Sequence, residues 1–164
     1  MDFCRNMPCF HKCYANRLLR RFPDIKKAWE KNIHFFKKEP KNYFKVINRF
    51  LTIAVPRYFR WHVGGELPSR EYLQGVINIA EKHKKCRFLL YTKRYDLLLN
   101  LTNTPENLSI IMSIWPGLDY PNLPFRKAFI SHRDKIYGFK CVKYCPDCKW
   151  MCWNGKDDIS FDLT

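Results

Sequence analysis

The chain has 164 residues, 46% of them hydrophobic and 16% aromatic, so it can bury a core and is not expected to be disordered. Its formal net charge is +15, and residues 1–60 carry about +11 of it, from 15 Lys/Arg against 4 Asp/Glu, which favours an anionic partner. No apolar run reaches the ~18 residues of a membrane helix and no secretory signal begins the chain, so we expect no membrane partner and a cytoplasmic location.

A first cysteine cluster lies near the amino terminus, at Cys4, Cys9 and Cys13. Loops of this length can direct several sulfur atoms at one point. In the cytoplasm such spacing indicates metal or redox chemistry more often than disulfides. Three thiolates would leave one iron of a 4Fe-4S cluster without a protein ligand, unless a cysteine from the carboxyl-terminal group supplies it. His11 is an alternative ligand.

Residues 15–54 are predicted to be helical, with Pro23 at a helix start and a break at Pro40. Two apolar stripes at helical spacing are expected to face the core. They consist of Ile25, Ala28, Trp29, Ile33 and Phe36, then Tyr43, Val46, Ile47, Phe50 and Leu51. The lysines on the outer faces are candidates for contacting nucleic-acid phosphates: Lys26, Lys27, Lys31, Lys37, Lys38, Lys41 and Lys45.

An alternation of strands and helices follows, which predicts right-handed crossovers and a mostly parallel sheet. The predicted strands are 58–63, 87–92, 108–113 and 128–131. The predicted helices run from the N-cap Ser69 to about His83, and from Arg94 to about Asn100. Functional loops of such sheets lie at the carboxyl ends of the strands. These loops are Gly64–Glu66, Thr92–Arg94, Ser113–Gly117 and Ser131-His132.

Gly64, Gly65 and Glu66, which end the first predicted strand, form the candidate cofactor-binding turn. Glycines allow a ligand to approach the backbone closely, and a carboxylate suits an ammonium group. The alternative is an ordinary tight turn capped by a surface glutamate, and we expect Glu66 to be a surface residue in either case. Cys86 precedes the second strand and is expected to belong to the core.

A second cysteine cluster ends the chain, at Cys141, Cys145, Cys148 and Cys152. The Cys145-Pro-Asp-Cys148 turn points both thiols in the same direction. Four cysteines could form a zinc site, whereas a 4Fe-4S cluster often takes its thiolates from distant segments. The seven clustered cysteines fit one four-cysteine and one three-cysteine site, and we expect the two groups to lie close together.

Several blocks together resemble the phage "gene product 88" family: Cys13-Tyr14-Ala15, Phe59–Tyr72, Phe88–Leu98, Asn107–Gly117 and Cys145-Pro-Asp-Cys148-x3-Cys152-Trp153. That family looks like a shortened relative of the radical S-adenosylmethionine barrels. Those enzymes hold a 4Fe-4S cluster on three cysteines, and a Gly-Gly-Glu motif meets the methionine part of the cofactor. The cysteine spacing here, x4 and x3, differs from their x3 and x2. A full barrel needs ~200 residues or more, so a partial barrel is expected.

The resulting hypothesis is a single metal-binding α/β domain over 1–164, with a basic helical part (1–56), an α/β core (57–135) and a cysteine-rich segment (136–164). The resemblance implies a phage iron–sulfur protein in the host cytoplasm, with a vestigial or altered radical-enzyme-like site and S-adenosylmethionine as a candidate ligand. The alternative is a non-enzymatic accessory protein that binds nucleic acid or a host protein and uses zinc or iron–sulfur structurally. Common hydrolase and phosphate-loop motifs are absent from the sequence.

Overall fold

The computed structural model describes residues 9–131 and 136–162. Within them, the helices are α1 (Tyr14–Arg21), α2 (Pro23–Lys38), α3 (Pro40–Ala54), α4 (Arg70–Lys82) and α5 (Met151–Asn154), with 3-10 turns at Phe10–Lys12 and Tyr95–Leu97. The strands are β1 (Tyr58–Trp61), β2 (Arg87–Thr92), β3 (Leu108–Ile114), β4 (Arg126–Ser131), β5 (Phe139–Lys140) and β6 (Ile159–Asp162).

The six described strands form one curled sheet, and every neighbouring pair in it is parallel. Their order is β1-β2-β3-β4-β6-β5. The sheet is a half-barrel with flanking helices, so the predicted parallel, partial-barrel α/β fold is confirmed. Parallel pairing brings the carboxyl ends of all these strands to one edge, which is where the candidate loops were expected.

The amino-terminal helical region is confirmed, and two prolines divide it. Pro23 and Pro40 each occupy the first turn of a helix, where a missing backbone N–H is tolerated. The expected stripes are only partly buried. Phe36 and Leu51 lie in the core, whereas Val46 and Phe50 are more than half exposed, so their predicted core positions are wrong.

The reason lies in the face that α3 turns toward the sheet. Phe44, which the sequence pattern did not select, packs its ring against Tyr72 and Trp61, with Ile47 and Leu51 in the same cluster. This face directs Val46 and Phe50 away from the core. Ala28 of the first stripe is likewise exposed on α2, so its expected core position is also wrong.

Helix α4 begins as predicted, because the Ser69 hydroxyl accepts a hydrogen bond from the Tyr72 backbone N–H at 3.2 Å. The helix predicted from Arg94 to Asn100 is wrong and is reduced to a 3-10 turn. There the Thr92 hydroxyl accepts from the Arg94 N–H at 2.9 Å, and the Arg94 guanidinium binds both carboxylate oxygens of Asp96. Such local side-chain bonds compete with helix formation.

The carboxyl-terminal segment also contributes to the sheet, which the sequence analysis did not predict. β6 lies between β4 and β5, so the last two strands pair out of chain order. Strands of two and four residues are too short to show a clear alternation of apolar side chains.

The two faces of the sheet differ in how they are covered. The larger cluster includes Phe88, Leu90 and Met112 and is covered by α2, α3 and α4. The smaller cluster includes Leu89 and Ile111 and is covered by residues around Cys141 and Cys152. Cys86 is buried in the larger cluster as predicted, and burial raises the pKa of its thiol to about 11. No described helix is both long and apolar enough to cross a membrane.

We expect Gly75→Ala to destabilise the protein, although alanine is the better helix former by about 1 kcal/mol. A Cβ atom at Gly75 would lie 2.2 Å from the Phe44 ring, so α3 would have to move away from α4. The expected net loss is about 1–3 kcal/mol in urea unfolding. The matched control is Glu81→Ala on the exposed face of α4, which should change stability little. Equal stability of Gly75→Ala and wild type would contradict this packing.

Candidate functional site

The loop that carries Cys9 and Cys13 lies at the carboxyl edge of the sheet. Cys9 is buried and Cys13 is half-buried, and they flank the short 3-10 turn before α1. The Tyr14 hydroxyl donates a hydrogen bond to the carbonyl oxygen of Val63, which ties this loop to the turn after β1. Cys4 lies outside the described residues.

Cys9 faces the ends of β1 and β2. It lies close enough to the Lys93 ammonium, the Glu66 carboxylate and Cys13 to interact with their charges. Burial raises the pKa of the Cys9 thiol, and the Lys93 ammonium opposes this effect. The structure thus places Cys9 within electrostatic range of Cys13 and of the predicted glutamate, although these described side chains do not form a group arranged to hold a metal ion.

Glu66 is not the exposed turn residue that we expected. Its Oε1 accepts hydrogen bonds from the Thr92 hydroxyl at 2.5 Å and from its neighbour's backbone N–H at 3.1 Å. Its Oε2 accepts from the Lys93 N–H at 2.7 Å. Burial raises the pKa of this carboxyl, while the Thr92 and Lys93 donors lower it. Glu66 therefore joins the turn after β1 to the end of β2.

The two glycines of the candidate turn are favoured at their positions for different structural reasons. A Cβ atom at Gly64 would lie 2.0 Å from the Trp29 ring of α2, so only glycine leaves room for that ring. Gly65 has a φ of +95°, which favours glycine, and the space beside its Cα is open. A ligand could approach Gly65, whereas Trp29 already covers Gly64.

His62 follows β1 in a left-handed conformation with a φ of 50°. Its Nε2 is buried and has no hydrogen-bond partner among the described residues, and its ring lies 5.0 Å from that of Tyr72. Burial lowers the pKa of His62 to about 4. The sequence analysis did not select this residue, because a lone histidine after a strand carries no pattern.

Other edge residues do not converge on one point. Side chains two positions apart on a strand point to the same face of the sheet. Thr92 therefore lies on the helix-covered face with Phe88 and Leu90, whereas Ser113 lies on the opposite face with Ile111. The Ser113 carbonyl accepts a hydrogen bond from Tyr95 at 2.5 Å. His132 lies outside the described residues.

The four carboxyl-terminal cysteines are close to one another. Cys145 interacts with Cys141 and Cys148, and Cys152 interacts with the same two residues. Burial raises the pKa of both Cys145 and Cys152, and the neighbouring sulfurs raise both further. The Lys143 N–H donates to the Cys141 sulfur at 3.4 Å, and the Cys148 thiol donates to the Cys145 carbonyl at 3.3 Å.

The loop around these cysteines is conformationally strained. Lys143, Lys149 and Trp150 all have positive φ angles, of 68°, 50° and 58°. Such angles cost about 1–2 kcal/mol per residue for side chains other than glycine. They persist because backbone bonds such as Trp150 N–H to Cys145 carbonyl, at 3.0 Å, hold the turn.

Arg60 of β1 lies between the two cysteine groups. Its Nη2 donates to the Tyr14 hydroxyl at 3.4 Å, and its charge also acts on Cys145. Its guanidinium lies 5.2 Å from the centre of the Tyr91 ring. The Tyr91 hydroxyl is beside Cys152, but it is buried without a hydrogen bond of good geometry to any described residue.

Within residues 9–131 and 136–162, no group of three or more His, Cys, Asp or Glu side chains is positioned to hold a metal ion. The predicted metal site that joins the two ends of the chain is therefore not shown. For the amino-terminal cluster the described part contains only two of the three cysteines. For the carboxyl-terminal cluster the four thiols interact with one another, but the described residues contain no group of them arranged to hold a metal ion.

The seven lysines predicted to contact nucleic acid are all exposed: Lys26, Lys27, Lys31, Lys37, Lys38, Lys41 and Lys45. Two of them form ion pairs on α2, Lys26 with Glu30 at 3.9 Å and Lys27 with Asp24 at 3.4 Å. The lysines are spread over the two helices α2 and α3, and their contact with nucleic acid stays a prediction.

A family model described as Gene product 88 matches residues 1–119. The chain belongs to the gene product 88 family of phage proteins. The match covers the first cysteine cluster, α1 to α4 and β1 to β3, whereas the second cluster lies beyond it. No curated protein and no solved structure matches the chain.

We expect Glu66→Gln to lower the free energy of unfolding by about 1–3 kcal/mol. Its oxygen could still accept the Thr92 proton, but its NH₂ group would face the Lys93 N–H and leave that donor unpaired. Urea unfolding measures this loss, and the exposed Glu81→Gln is the matched control. An unchanged midpoint for Glu66→Gln would contradict the described bonds.

His62 should make stability depend on pH. Its folded pKa of about 4 lies below the ordinary 6.5, so the unfolded chain binds the proton first as pH falls. The stabilisation is complete above pH 6.5, and up to about 3 kcal/mol of it is lost on acidification to pH 4.

His62→Asn, which tolerates the left-handed backbone, removes this titration. The raised pKa of Glu66 acts in the opposite direction, but it cancels in the difference between the two proteins. The free energies of unfolding of wild type and variant should therefore converge or cross as pH falls from 7 to 4. Parallel curves would show that His62 is not buried as a neutral imidazole.

Proposed function

We propose that this protein is an iron–sulfur-binding phage protein whose cluster is held by Cys4, Cys9 and Cys13 at the carboxyl edge of β1 and β2. The observation that carries the proposal is that Cys9 lies within electrostatic range of Lys93 and Glu66, in a loop that Tyr14 ties to the turn after β1. Thiolates are the usual ligands of such clusters. Burial raises the pKa of the Cys9 thiol, and the Lys93 ammonium partly offsets this by favouring the deprotonated sulfur that a metal requires.

The donor set fits this group in its chemistry. Cys9 and Cys13 are free thiols that are partly shielded from water, and the positive charge of Lys93 acts on Cys9. When bound, a 4Fe-4S cluster on three cysteines supplies redox chemistry and an iron that can take an exogenous ligand. Zinc is the alternative metal for the same thiols.

The carboxyl-terminal cysteines support a second, structural role. Their sulfurs are neighbours, and the turns between them are strained. A cation bound by Cys141, Cys145, Cys148 and Cys152 would have to draw their sulfurs together from the described arrangement. It would then offset the repulsion between thiolates and close the loop, which stabilises the fold.

A small ligand at the amino-terminal site follows from the resemblance to radical S-adenosylmethionine enzymes. Gly65 leaves open space beside the backbone, so the turn can accept a close approach. Both oxygens of Glu66 already accept hydrogen bonds within the protein. We therefore propose that Glu66 mainly holds the turn after β1 against the end of β2. The ammonium group of a ligand would have to share the carboxylate with those donors.

The test is the metal content of protein purified without oxygen. We expect brown protein with about four iron and four sulfide per chain, in addition to any metal at the second cluster. Cys9→Ser/Cys13→Ser should remove that iron and the colour. The buried Cys86→Ser is the control and should keep both. Colourless protein that contains zinc alone would overturn the iron–sulfur proposal and favour the zinc alternative.

The ligand is tested separately, by calorimetric titration of S-adenosylmethionine into the reconstituted protein. Heat release by wild type, and none by Cys9→Ser/Cys13→Ser, is expected if the iron at this edge takes that ligand. No heat from a fully loaded wild type would reject the ligand and leave the cluster proposal intact.

A further inference from the structure

The surface of the groove between α3 and α4 is mainly apolar, from residues such as Phe44 and Ile79, and polar and basic side chains of both helices stand along it. It encloses about 500 Å³ and lies on the outer side of the helical layer. Helix α3 contributes Lys41, Lys45 and Asn48, and helix α4 contributes Gln74, Asn78 and Lys82. The groove is far from neutral, because Glu71 is the one acidic side chain among its lining residues.

The sequence spacing places these groups in two rows. Lys41 and Lys45 are one helical turn apart, and Gln74, Asn78 and Lys82 follow one another at the same interval. Donors on each row are therefore about 6 Å apart along the helix axis, close to the rise of two nucleotides on one strand of a duplex.

The floor of the groove is closely packed, and its amide side chains are hydrogen-bonded. The Phe44 ring lies against Gly75, where a side chain would prevent the two helices from approaching. Asn48 is fixed by His83, with 3.0 Å between Oδ1 and Nε2, and Gln74 donates to Asn78 at 2.9 Å. The amide groups are thus held in position at the groove wall.

The lysines of the groove are available to a ligand. In the described part of the chain, Lys41, Lys45 and Lys82 form no ion pair, whereas Lys26 and Lys27 on α2 each have an acidic neighbour. All three groove lysines are exposed. Their charges are part of the chain's net charge of +15, and a net charge of this size attracts polyanions from a distance.

We propose that the α3–α4 groove binds the phosphodiester backbone of nucleic acid. Lysine and amide donors in two rows suit a regularly spaced series of phosphate oxygens, and an apolar floor suits the sugar edges between them. This assignment narrows the seven lysines of the sequence hypothesis to Lys41 and Lys45, and it adds Lys82. It is independent of the metal proposal, because the groove lies on helices that carry no cysteine.

Two triple variants of equal charge test the proposal. The groove variant is Lys41→Gln/Lys45→Gln/Lys82→Gln, and the control is Lys26→Gln/Lys27→Gln/Lys31→Gln on α2. Binding to fluorescent single-stranded DNA, duplex DNA and RNA is measured by anisotropy over a range of salt concentrations. Circular dichroism melts verify that both variants fold, as expected for exposed side chains.

The groove variant should bind at least about tenfold more weakly than wild type near 0.1 M salt, and its slope of log affinity against log salt should fall by about 2–3. The control should stay within about threefold of wild type. Equal losses in both variants would overturn the groove as the binding site. No binding of wild type to any of the three nucleic acids would overturn it as well. Groove-dependent binding to poly-glutamate without nucleic-acid binding would identify an acidic protein as the partner instead.

Discussion

The hydrogen bonds of the Glu66 carboxylate hold together the edge on which the candidate metal site depends. They join Glu66 to Thr92 and Lys93, which are 26 and 27 positions further along the chain. A carboxylate taken out of water is unfavourable unless donors replace its hydration, and three donors do so here. These bonds join the turn after β1 to the end of β2, and the hydrogen bond from the Tyr14 hydroxyl to the Val63 carbonyl ties the loop of Cys9 to the same turn.

The two cysteine groups meet different surroundings on this framework. Cys9 lies beside Lys93 and Glu66 at the carboxyl edge, whereas Cys141 and Cys152 pack against the apolar cluster of Leu89 and Ile111. Arg60 contacts the tyrosine that follows Cys13 and also acts on Cys145. In the proposal, the amino-terminal cysteines at the edge would hold the cluster that accepts a ligand. The carboxyl-terminal cysteines, which are covered, would hold a metal that stabilises the fold.

Much of the fold could be predicted from local patterns. The two prolines, the Ser69 cap and the runs that became β2 and β3 are short-range signals, and the structure agrees with them. Periodicity alone could not separate Phe44 from Val46 and Phe50, because the choice depends on Gly75 of another helix. The strands β5 and β6 were missed, since their pairing is decided by distant residues.

The candidate site was predictable in its components but not in its connections. Cysteine spacing and the Gly-Gly-Glu turn could be recognised in the sequence, and the structure places Cys9 beside Glu66. The sequence could not show that Glu66 is buried, or that the Nε2 of His62 has no hydrogen-bond partner among the described residues. Both features arise from packing against other elements. The groove between α3 and α4 likewise needs residues from two helices, and only one of them carried a visible lysine pattern.

The most direct test of the central claim is the position of iron in the protein. A crystal grown without oxygen, with anomalous scattering recorded above and below the iron and zinc absorption edges, would locate each metal. The account predicts an iron peak beside Cys9 and Cys13, next to Glu66 and Lys93. Iron confined to the carboxyl-terminal cysteines, or zinc as the only anomalous scatterer at Cys9, would contradict it.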